Sequence, residues 1–263
     1  MFIVLRHFPH KGAPMATSRS RSKRPASKTS RTKRANQNPA RQRGAARPAT
    51  GAAGSVKRSK SSWPKAGKRP APRALPPARV AAAVATMSAP SGTARFGAGK
   101  VLCVTAAKDP AHVYPHFDAF AALLNSDSKV VRWNALQIIA ALTPADSARK
   151  IDALLDTYLA FIAGGNLISA ANAIGGAGRI AACRPDLLDR IIPALLATER
   201  ATYETDECRN VALGHVLRVV ADLGPAVCNR PDVAAFIRRQ QANPRAPVAR
   251  HAKRLAAGLS PGA

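Results

Sequence analysis

The spacing of apolar residues along the chain changes at about Phe96. Beyond that point Leu, Ile, Val and Ala recur every three or four residues, which is the period of one face of an α-helix. No segment alternates strictly between apolar and polar residues, as a half-buried strand would. Polar and glycine- or proline-containing breaks separate predicted helices at 97–108, 112–125, 128–142, 145–162, 166–182, 185–198, 206–223, 230–241 and 246–258. We therefore predict an all-α fold.

Three asparagines mark a repeat within these helices. Asn134, Asn172 and Asn210 lie 38 residues apart, and each is followed by an apolar residue. A fixed spacing near forty residues, filled by two helices, is typical of a stacked α-solenoid. Because one helix pair cannot bury its own apolar face, several pairs must stack. The sequence thus predicts a short solenoid of helix pairs.

Part of this repeat resembles the HEAT-repeat family. IIPALLATE, an acidic turn at Asp206 and CRNVALGHVLRVVADLG match a HEAT unit, with its proline-kinked first helix and basic opening of the second. SDSKVVR at 126–132 repeats the order of acidic turn, Val and Arg. The body, over roughly 97–258, is also similar to uncharacterised prokaryotic HEAT-like proteins through RPDLLDRI and YETDECRNVALGH. The resemblance implies a HEAT-like α-solenoid and implies no activity.

Charge divides the chain near the point where the periodicity begins. Residues 1–100 contain 23 of the 41 Lys and Arg residues and none of the 14 acidic ones. Between Pro9 and Arg95 the only aromatic residue is Trp63. Such a segment buries too little apolar surface to offset the entropy lost on ordering it. We predict a disordered basic arm over 1–95 and a HEAT-like helical repeat domain over 96–260.

The basic arm is the strongest functional signal in the sequence. Closely spaced cations without acids displace counterions from a phosphate backbone and give affinity that is independent of nucleotide sequence. The predicted nucleic-acid-binding residues are Arg19, Arg21, Lys23, Arg24, Lys28, Arg31, Lys33, Arg34, Arg41, Arg43, Lys57, Arg58, Lys60, Lys65, Lys68 and Arg69. Trp63 is available to stack on an unpaired base. The alternatives are an anionic membrane surface and an arm without a specific role.

The second helix of each pair offers another candidate surface, because these helices normally line the concave face on which solenoids bind extended partners. Its predicted partner-binding residues are Arg132, Arg209 and His215. Both arginines have a neighbouring acid, Asp127 or Asp206, as an alternative partner. The three repeated asparagines are predicted to cap or bridge between units, and Trp133 is predicted to pack between helices.

Signals for catalysis and metal binding are weak. HExxH, GxSxG and Walker motifs do not occur, so we predict a protein without catalytic activity, cofactor or metal. No two cysteines are closer than twenty residues, which favours free thiols in a reducing compartment. The scattered histidines, predicted to be surface or capping residues, are His112, His116, His215 and His251.

Targeting signals are equally sparse. The uncharged stretch from Thr157 to Gly178 contains a Gly-Gly-Asn turn, and we interpret it as two helices of a water-soluble body and not as a membrane span. We expect a cytoplasmic protein, with nucleoid association or an organelle transit peptide as alternatives. Met15 is the expected start, because the low-complexity arm begins there.

Three functions are compatible with this organisation. The first is a non-enzymatic scaffold with a HEAT-like interaction domain and an arm that associates non-specifically with nucleic acid. The second, by fold analogy, is a nucleic-acid enzyme of the HEAT-like DNA glycosylase type, although the folded half contains a single tryptophan, Trp133. The third is a protein-interaction adaptor with an inert arm.

Overall fold

The computed structural model describes residues 72–260, and every regular element within them is helical. The α-helices are α1 (Val80–Ser88), α2 (Ala94–Lys108), α3 (Pro110–Val113), α4 (Phe117–Leu123), α5 (Lys129–Ala141), α6 (Lys150–Ala160), α7 (Leu167–Cys183), α8 (Leu188–Leu196), α9 (Asp206–Asp222), α10 (Pro225–Cys228), α11 (Pro231–Gln240) and α12 (Ala246–Ala256). The prediction of an all-α fold is confirmed. The disorder predicted for the arm concerns residues that, up to 71, lie outside those described.

The helices pair in chain order into a short α-solenoid. The pairs are α1 with α2, α4 with α5, α6 with α7, α8 with α9 through the 3₁₀ turn Ala197–Glu199 that continues α8, and α11 with α12. The second helices α2, α5, α7, α9 and α12 pack against one another in succession, and this row contains the most extensive helix contacts. Short helices and 3₁₀ turns fill the connections. A continuous core runs between the two rows and includes Leu102, Phe120, Leu136, Ile174 and Phe236, all fully buried.

The helical body begins earlier than the predicted boundary at residue 95. Helix α1 buries Val80, Val84 and Met87, which recur at helical spacing and belong to the core. Upstream of it, the backbone N–H of Leu75 donates a 3.0 Å hydrogen bond to Thr105 Oγ1 on α2. The Ala-rich helix supplies the apolar surface that covers the outer flank of the α2 layer. The folded region therefore extends to about residue 72.

Side-chain caps fix where three helices begin. Asn166 accepts from the backbone N–H of Ser169 at the start of α7, and Thr205 accepts from Cys208 N at the start of α9. The buried carboxylate of Asp146 accepts from the first two backbone N–H groups of α6 and from the phenol of Tyr114. These bonds satisfy donors that a helix leaves free at its N-terminus.

Ion pairs join consecutive units from α4 to α12. Arg184 contacts Asp152 at 2.7 Å, and other arginines repeat this pairing across 34 to 41 residues. The further inter-unit pairs are Arg190–Asp156, Arg230–Asp189, Arg239–Glu199 and Arg245–Glu207. Many acidic side chains of the body therefore take part in these inter-unit ion pairs, which we call the ladder. Within residues 72–260, no helix is both long and apolar enough to cross a membrane.

Candidate functional site

The solvent-facing side of the row of second helices, which we term the second-helix face, concentrates unusual exposed groups. Among the described residues, the exposed large apolar side chains are Phe96, Val130 and Ile168, the last 49% exposed. Each lies in the first turn of a second helix, namely α2, α5 and α7. Three consecutive units therefore present an apolar group at the same end of the face.

A cleft lies in the part of this face that α7, α9 and α12 form. It consists of a hollow of about 330 Å³ between α7 and α9 and one of about 230 Å³ between α9 and α12. His215 and Arg218 line both hollows, so the two are continuous. Arg179 adds a guanidinium from α7, and His251 adds an imidazole from α12. We call these four residues and the hollows between them the basic cleft.

Glycines bring the helices together beneath the cleft. A Cβ on Gly178 of α7 would lie 2.8 Å from Val219 Cγ1 on α9, and one on Gly214 would lie 3.1 Å from Val248 Cγ2 on α12. Both distances are shorter than ordinary van der Waals contact, so a side chain there would push the helices apart. Gly175 has open space around it and leaves room on the α7 wall. Gly178 and Gly214 therefore serve helix packing.

A short motif repeats across the cleft. His215 and Arg218 stand three residues apart on α9, and His251 and Arg254 repeat the spacing on α12, 36 residues later. Residues three apart share one face of a helix. Of these four residues, only His215 was predicted to bind a partner, and His251 was predicted to be a surface or capping residue. The signal that identifies the others is His-x-x-Arg recurring at the length of one unit.

The histidines of the cleft are partly buried and lie among cations. Desolvation lowers the pKa of His215, and the charge of Arg218 lowers it further. Desolvation also lowers the pKa of His251, with Arg254 and Arg218 adding to the effect and Asp222 opposing it. Because the usual histidine pKa is about 6.5, both imidazoles are neutral at neutral pH, and each has one N–H available to donate.

The arginines of the cleft differ from those of the ladder. Arg179 and Arg218, together with Arg254 beside His251 on α12, form no ion pair with any carboxylate of residues 72–260. Arg245 also lines the cleft, but it pairs with Glu207. Asp222 is the single acid lining the cleft, and it is exposed. The cleft thus carries an excess of donors and positive charge that the body itself does not neutralise.

The structure does not bring the predicted partner-binding residues together. Arg132 Nη1 donates a 2.5 Å hydrogen bond to the Ser126 carbonyl and lines a separate hollow of about 470 Å³ between α4 and α7. Arg209 pairs at 2.7 Å with Asp206 in the first turn of α9, the alternative considered from the sequence. Only His215 lies in the basic cleft. A partner-binding role for the three residues stays a prediction.

The polar residues of the repeat mostly link neighbouring units. The bonds are Cys103 Sγ to Asn134 Oδ1 at 3.8 Å, Gln137 Nε2 to Asn172 Oδ1 at 2.8 Å and Asn243 Nδ2 to Asn210 Oδ1 at 3.2 Å. Trp133 is half-buried, and its indole N–H donates a 3.0 Å hydrogen bond to Ser169 Oγ on the next second helix. These contacts give the asparagines and the tryptophan a bridging role. The asparagines have side-chain partners in adjacent units, and Asn172 Nδ2 also donates a 2.8 Å hydrogen bond to the Ile168 carbonyl of its own helix.

The other predicted site lies outside the described residues. All sixteen arm residues from Arg19 to Arg69, and Trp63, precede residue 72, where the description begins. Within residues 72–260, no three His, Cys, Asp or Glu side chains are arranged to hold a metal ion.

Comparison with known proteins does not identify a family for this chain. No family model matches the chain, and no curated protein matches it. Two solved structures resemble it: a designed armadillo repeat protein at 16% identity, and a computationally designed armadillo repeat protein for modular peptide recognition at 14%. Each covers 70% of this chain and 83% of its own, with a TM-score of 0.48. The helical-repeat fold rests on the helix pairs described above, and the HEAT assignment stays a prediction.

Proposed function

We propose that this protein is a non-enzymatic binding scaffold. Its helical body holds a segment of a protein partner on the second-helix face, and its basic arm associates with nucleic acid without recognising base sequence. The observation that carries the first part is the contrast between two groups of side chains. The charges of the ladder are paired between units, whereas the second-helix face leaves apolar side chains and guanidiniums in solvent.

The apolar part of this face supports a polypeptide partner. Phe96, Val130 and Ile168 are exposed at the ends of three adjacent helices, where they gain by burial against another apolar surface. Solenoids bind extended segments on such faces because each unit contributes one small contact area. A polypeptide offers alternating apolar and polar side chains that suit this mixed surface.

The arm supports the nucleic-acid part through its charge alone. It contains the sixteen predicted cations from Arg19 to Arg69, and residues 1–100 contain no acid. Lys and Arg in such a segment neutralise phosphates, and binding then weakens steeply with salt. The body lacks this excess, since residues 101–263 hold 18 basic and 14 acidic residues.

Photo-crosslinking from the intact protein tests the scaffold role. A benzoylphenylalanine at Ile168 on the second-helix face is compared with one at Ala153, an exposed position on α6. We expect covalent adducts with polypeptide from Ile168, unchanged by nuclease, and few from Ala153. Equal adducts from both positions, or adducts that disappear with nuclease, would contradict a protein-binding face.

A salt titration tests the arm. The intact chain is compared with a variant whose sixteen arm cations are changed to Gln, and with Arg132→Ala/Arg209→Ala. We expect the intact chain to bind duplex DNA or RNA and to lose about 10³–10⁵ in affinity between 50 and 200 mM salt, for roughly 6–10 phosphate contacts. The arm variant should lose nearly all of this binding, and the body variant very little. Equal slopes for all three proteins would place the site on the body.

A further inference from the structure

The basic cleft differs from the ladder of inter-unit ion pairs. In the ladder, each arginine finds an acid supplied by a neighbouring unit, as Arg190 finds Asp156 and Arg230 finds Asp189. In the cleft, Arg179 and Arg218 have no ion-pair partner among the described carboxylates, and neither has Arg254 beside His251 on α12. Arg245, which also lines the cleft, pairs with Glu207. At the positions of Arg179, Arg218 and Arg254 the repeat thus supplies the arginine of an inter-unit ion pair but not the acid.

We propose that the basic cleft binds the carboxylates of an extended acidic segment of the partner protein. This inference rests on the proposed scaffold function and names the class of segment. Arg179, Arg218 and Arg254 form ion pairs with its Glu or Asp side chains. His215 and His251, one turn away on the same helices, donate hydrogen bonds to the same groups.

The spacing of the helices fits an extended polypeptide. Packed helices lie about 8–10 Å apart, so guanidiniums on neighbouring second helices are separated by a comparable distance. An extended chain advances about 3.3 Å per residue, so acidic residues two or three positions apart fall about 7–10 Å from one another. A segment that crosses α7, α9 and α12 therefore places one carboxylate near each arginine when acids recur every second or third residue.

Guanidinium groups suit this ligand. A guanidinium presents paired N–H donors that match the two oxygens of a carboxylate, and such charge-assisted bonds are stronger than neutral ones. Arg218 lines both hollows, which allows it to contact two successive acidic residues. The 330 Å³ and 230 Å³ hollows provide space for side chains between the helices.

A polypeptide fits the cleft better than a phosphate backbone. Asp222 lies in the cleft, where it opposes a chain that carries a charge at every unit, whereas a peptide has neutral residues to place beside it. The same face continues towards Ile168 and Val130, apolar groups that a phosphate backbone does not use. Nucleic acid has the arm as its stronger site.

The test uses the full chain with the sixteen predicted arm cations changed to Gln, so that only Arg6, Lys11 and Arg47 remain charged before residue 72. The probe is a fluorescein-labelled twelve-residue peptide with Glu at every second position, measured by anisotropy. A peptide with Gln at those positions and a single-stranded oligonucleotide are the competitors. The cleft variant is Arg218→Gln/Arg254→Gln, and its matched control is Arg200→Gln/Arg238→Gln, two exposed arginines outside the cleft. Circular dichroism verifies that both variants are folded.

We expect the cleft variant to lower the affinity for the acidic peptide at least tenfold, and the control to change it less than twofold. The Gln peptide should compete poorly, and so should the oligonucleotide. Equal losses in both variants, equal competition by the Gln peptide, or stronger competition by the oligonucleotide would each overturn the proposal. Failure of the acidic peptide to bind, while Ile168 still crosslinks a partner, would reject the acidic segment and leave the scaffold function in place.

Discussion

The phenol of Tyr158 on α6 ends against the backbone of Gly176 on α7, in the space that a side chain at residue 176 would occupy. Tyr158 is fully buried, and its hydroxyl donates a 3.0 Å hydrogen bond to the Leu136 carbonyl on α5. One side chain thus joins three helices of adjacent units. It does so only because the neighbouring helix carries no Cβ there.

Gly176→Ala should destabilise the body by about 2–3 kcal/mol, since the new methyl would overlap Tyr158 Oη and approach Ala140 Cβ to 3.1 Å. Gly175→Ala is the matched control. Gly175 lies one residue earlier in the same helix with open space around it, so alanine should stabilise by about 0.5–1 kcal/mol. Urea unfolding followed by circular dichroism measures both.

A double-mutant cycle tests the cause of the Gly176→Ala penalty. Tyr158→Phe alone should cost about 1 kcal/mol, the value of the hydroxyl hydrogen bond. In that background Gly176→Ala should cost less than in the wild type, because the overlapping oxygen is gone. An unchanged penalty would mean that Ala140 and the ring, and not the hydroxyl, oppose the methyl group.

Helix α1 should behave as part of the body. Met87 is fully buried in the core, so Met87→Ala in the full chain should cost about 2–3 kcal/mol and lower Tm by roughly 4–12 °C. Thr86→Ala, at the exposed adjacent position, should change the free energy of unfolding by less than about 0.5 kcal/mol. If the two variants unfold alike, α1 does not belong to the cooperative core.

Binding of the acidic peptide should strengthen as the pH falls. The pKa values of His215 and His251 lie below the usual value, so both imidazoles gain charge only as the pH drops below about 6.5. The charged groups that surround them are Arg179, Arg218, Asp222, Arg245 and Arg254. Protonation adds positive charge to the cleft, while peptide glutamates, with pKa values of about 4.3, stay ionised at pH 5.5.

Anisotropy titrations between pH 7.5 and 5.5 check this dependence. They use the full chain with the sixteen predicted arm cations changed to Gln. We expect affinity to rise roughly three- to tenfold for the intact cleft. His215→Gln/His251→Gln should flatten the dependence, and His112→Gln, on α3 outside the cleft, should leave it unchanged. A dependence that survives the double substitution would assign the proton uptake to other groups.

Acid should weaken the ladder. A hydrogen bond from Arg184 holds the pKa of Asp186 well below its usual value, and Arg149 likewise lowers the pKa of Asp152. Groups with a lowered folded-state pKa stabilise the protein above the unfolded pKa of about 3.9, and this contribution is lost as the pH falls through the folded values.

Arg184→Ala tests the contribution of this cluster. It should lower stability at pH 7 and lower it less at pH 2.5, because that pH lies below the unfolded-state carboxyl pKa of about 3.9. Arg190→Ala removes a more exposed pair and should cost less than about 0.5 kcal/mol. Thermal unfolding of both variants at the two pH values provides the comparison. If Arg184→Ala lowers stability equally at both pH values, its effect does not come from carboxylate titration.

The helix periods predicted most of the fold, because each second helix has an apolar face of helical spacing that must be buried. Helix α1 was missed since Val80, Val84 and Met87 stand in an acid-free, proline-flanked segment that has the composition of the arm. The helical spacing of these three residues indicated a helix, but the arm-like composition of the segment led to the prediction of disorder. The boundary at residue 95 was placed too late for that reason.

The cleft was harder to predict from the sequence than the fold. The 38-residue period of the asparagines is not the packing register. Asn172 bonds to a residue 35 positions earlier, whereas Asn210 bonds to one 33 positions later, towards the opposite neighbour. Which side chains meet across two helices depends on this offset, and it is set by close packing at Gly178 and Gly214. That His251 and Arg254 lie near His215 and Arg218 can be inferred only once α12 is known to pack beside α9.

The inter-unit bonds have a mechanical consequence. No side-chain hydrogen bond among residues 72–260 joins positions more than 41 apart, so each unit is held only by its immediate neighbours. Under tension applied at its two ends, such a chain should extend in steps, one helix pair at a time. The unfolding force of each step would then measure the strength of the contacts between two neighbouring units.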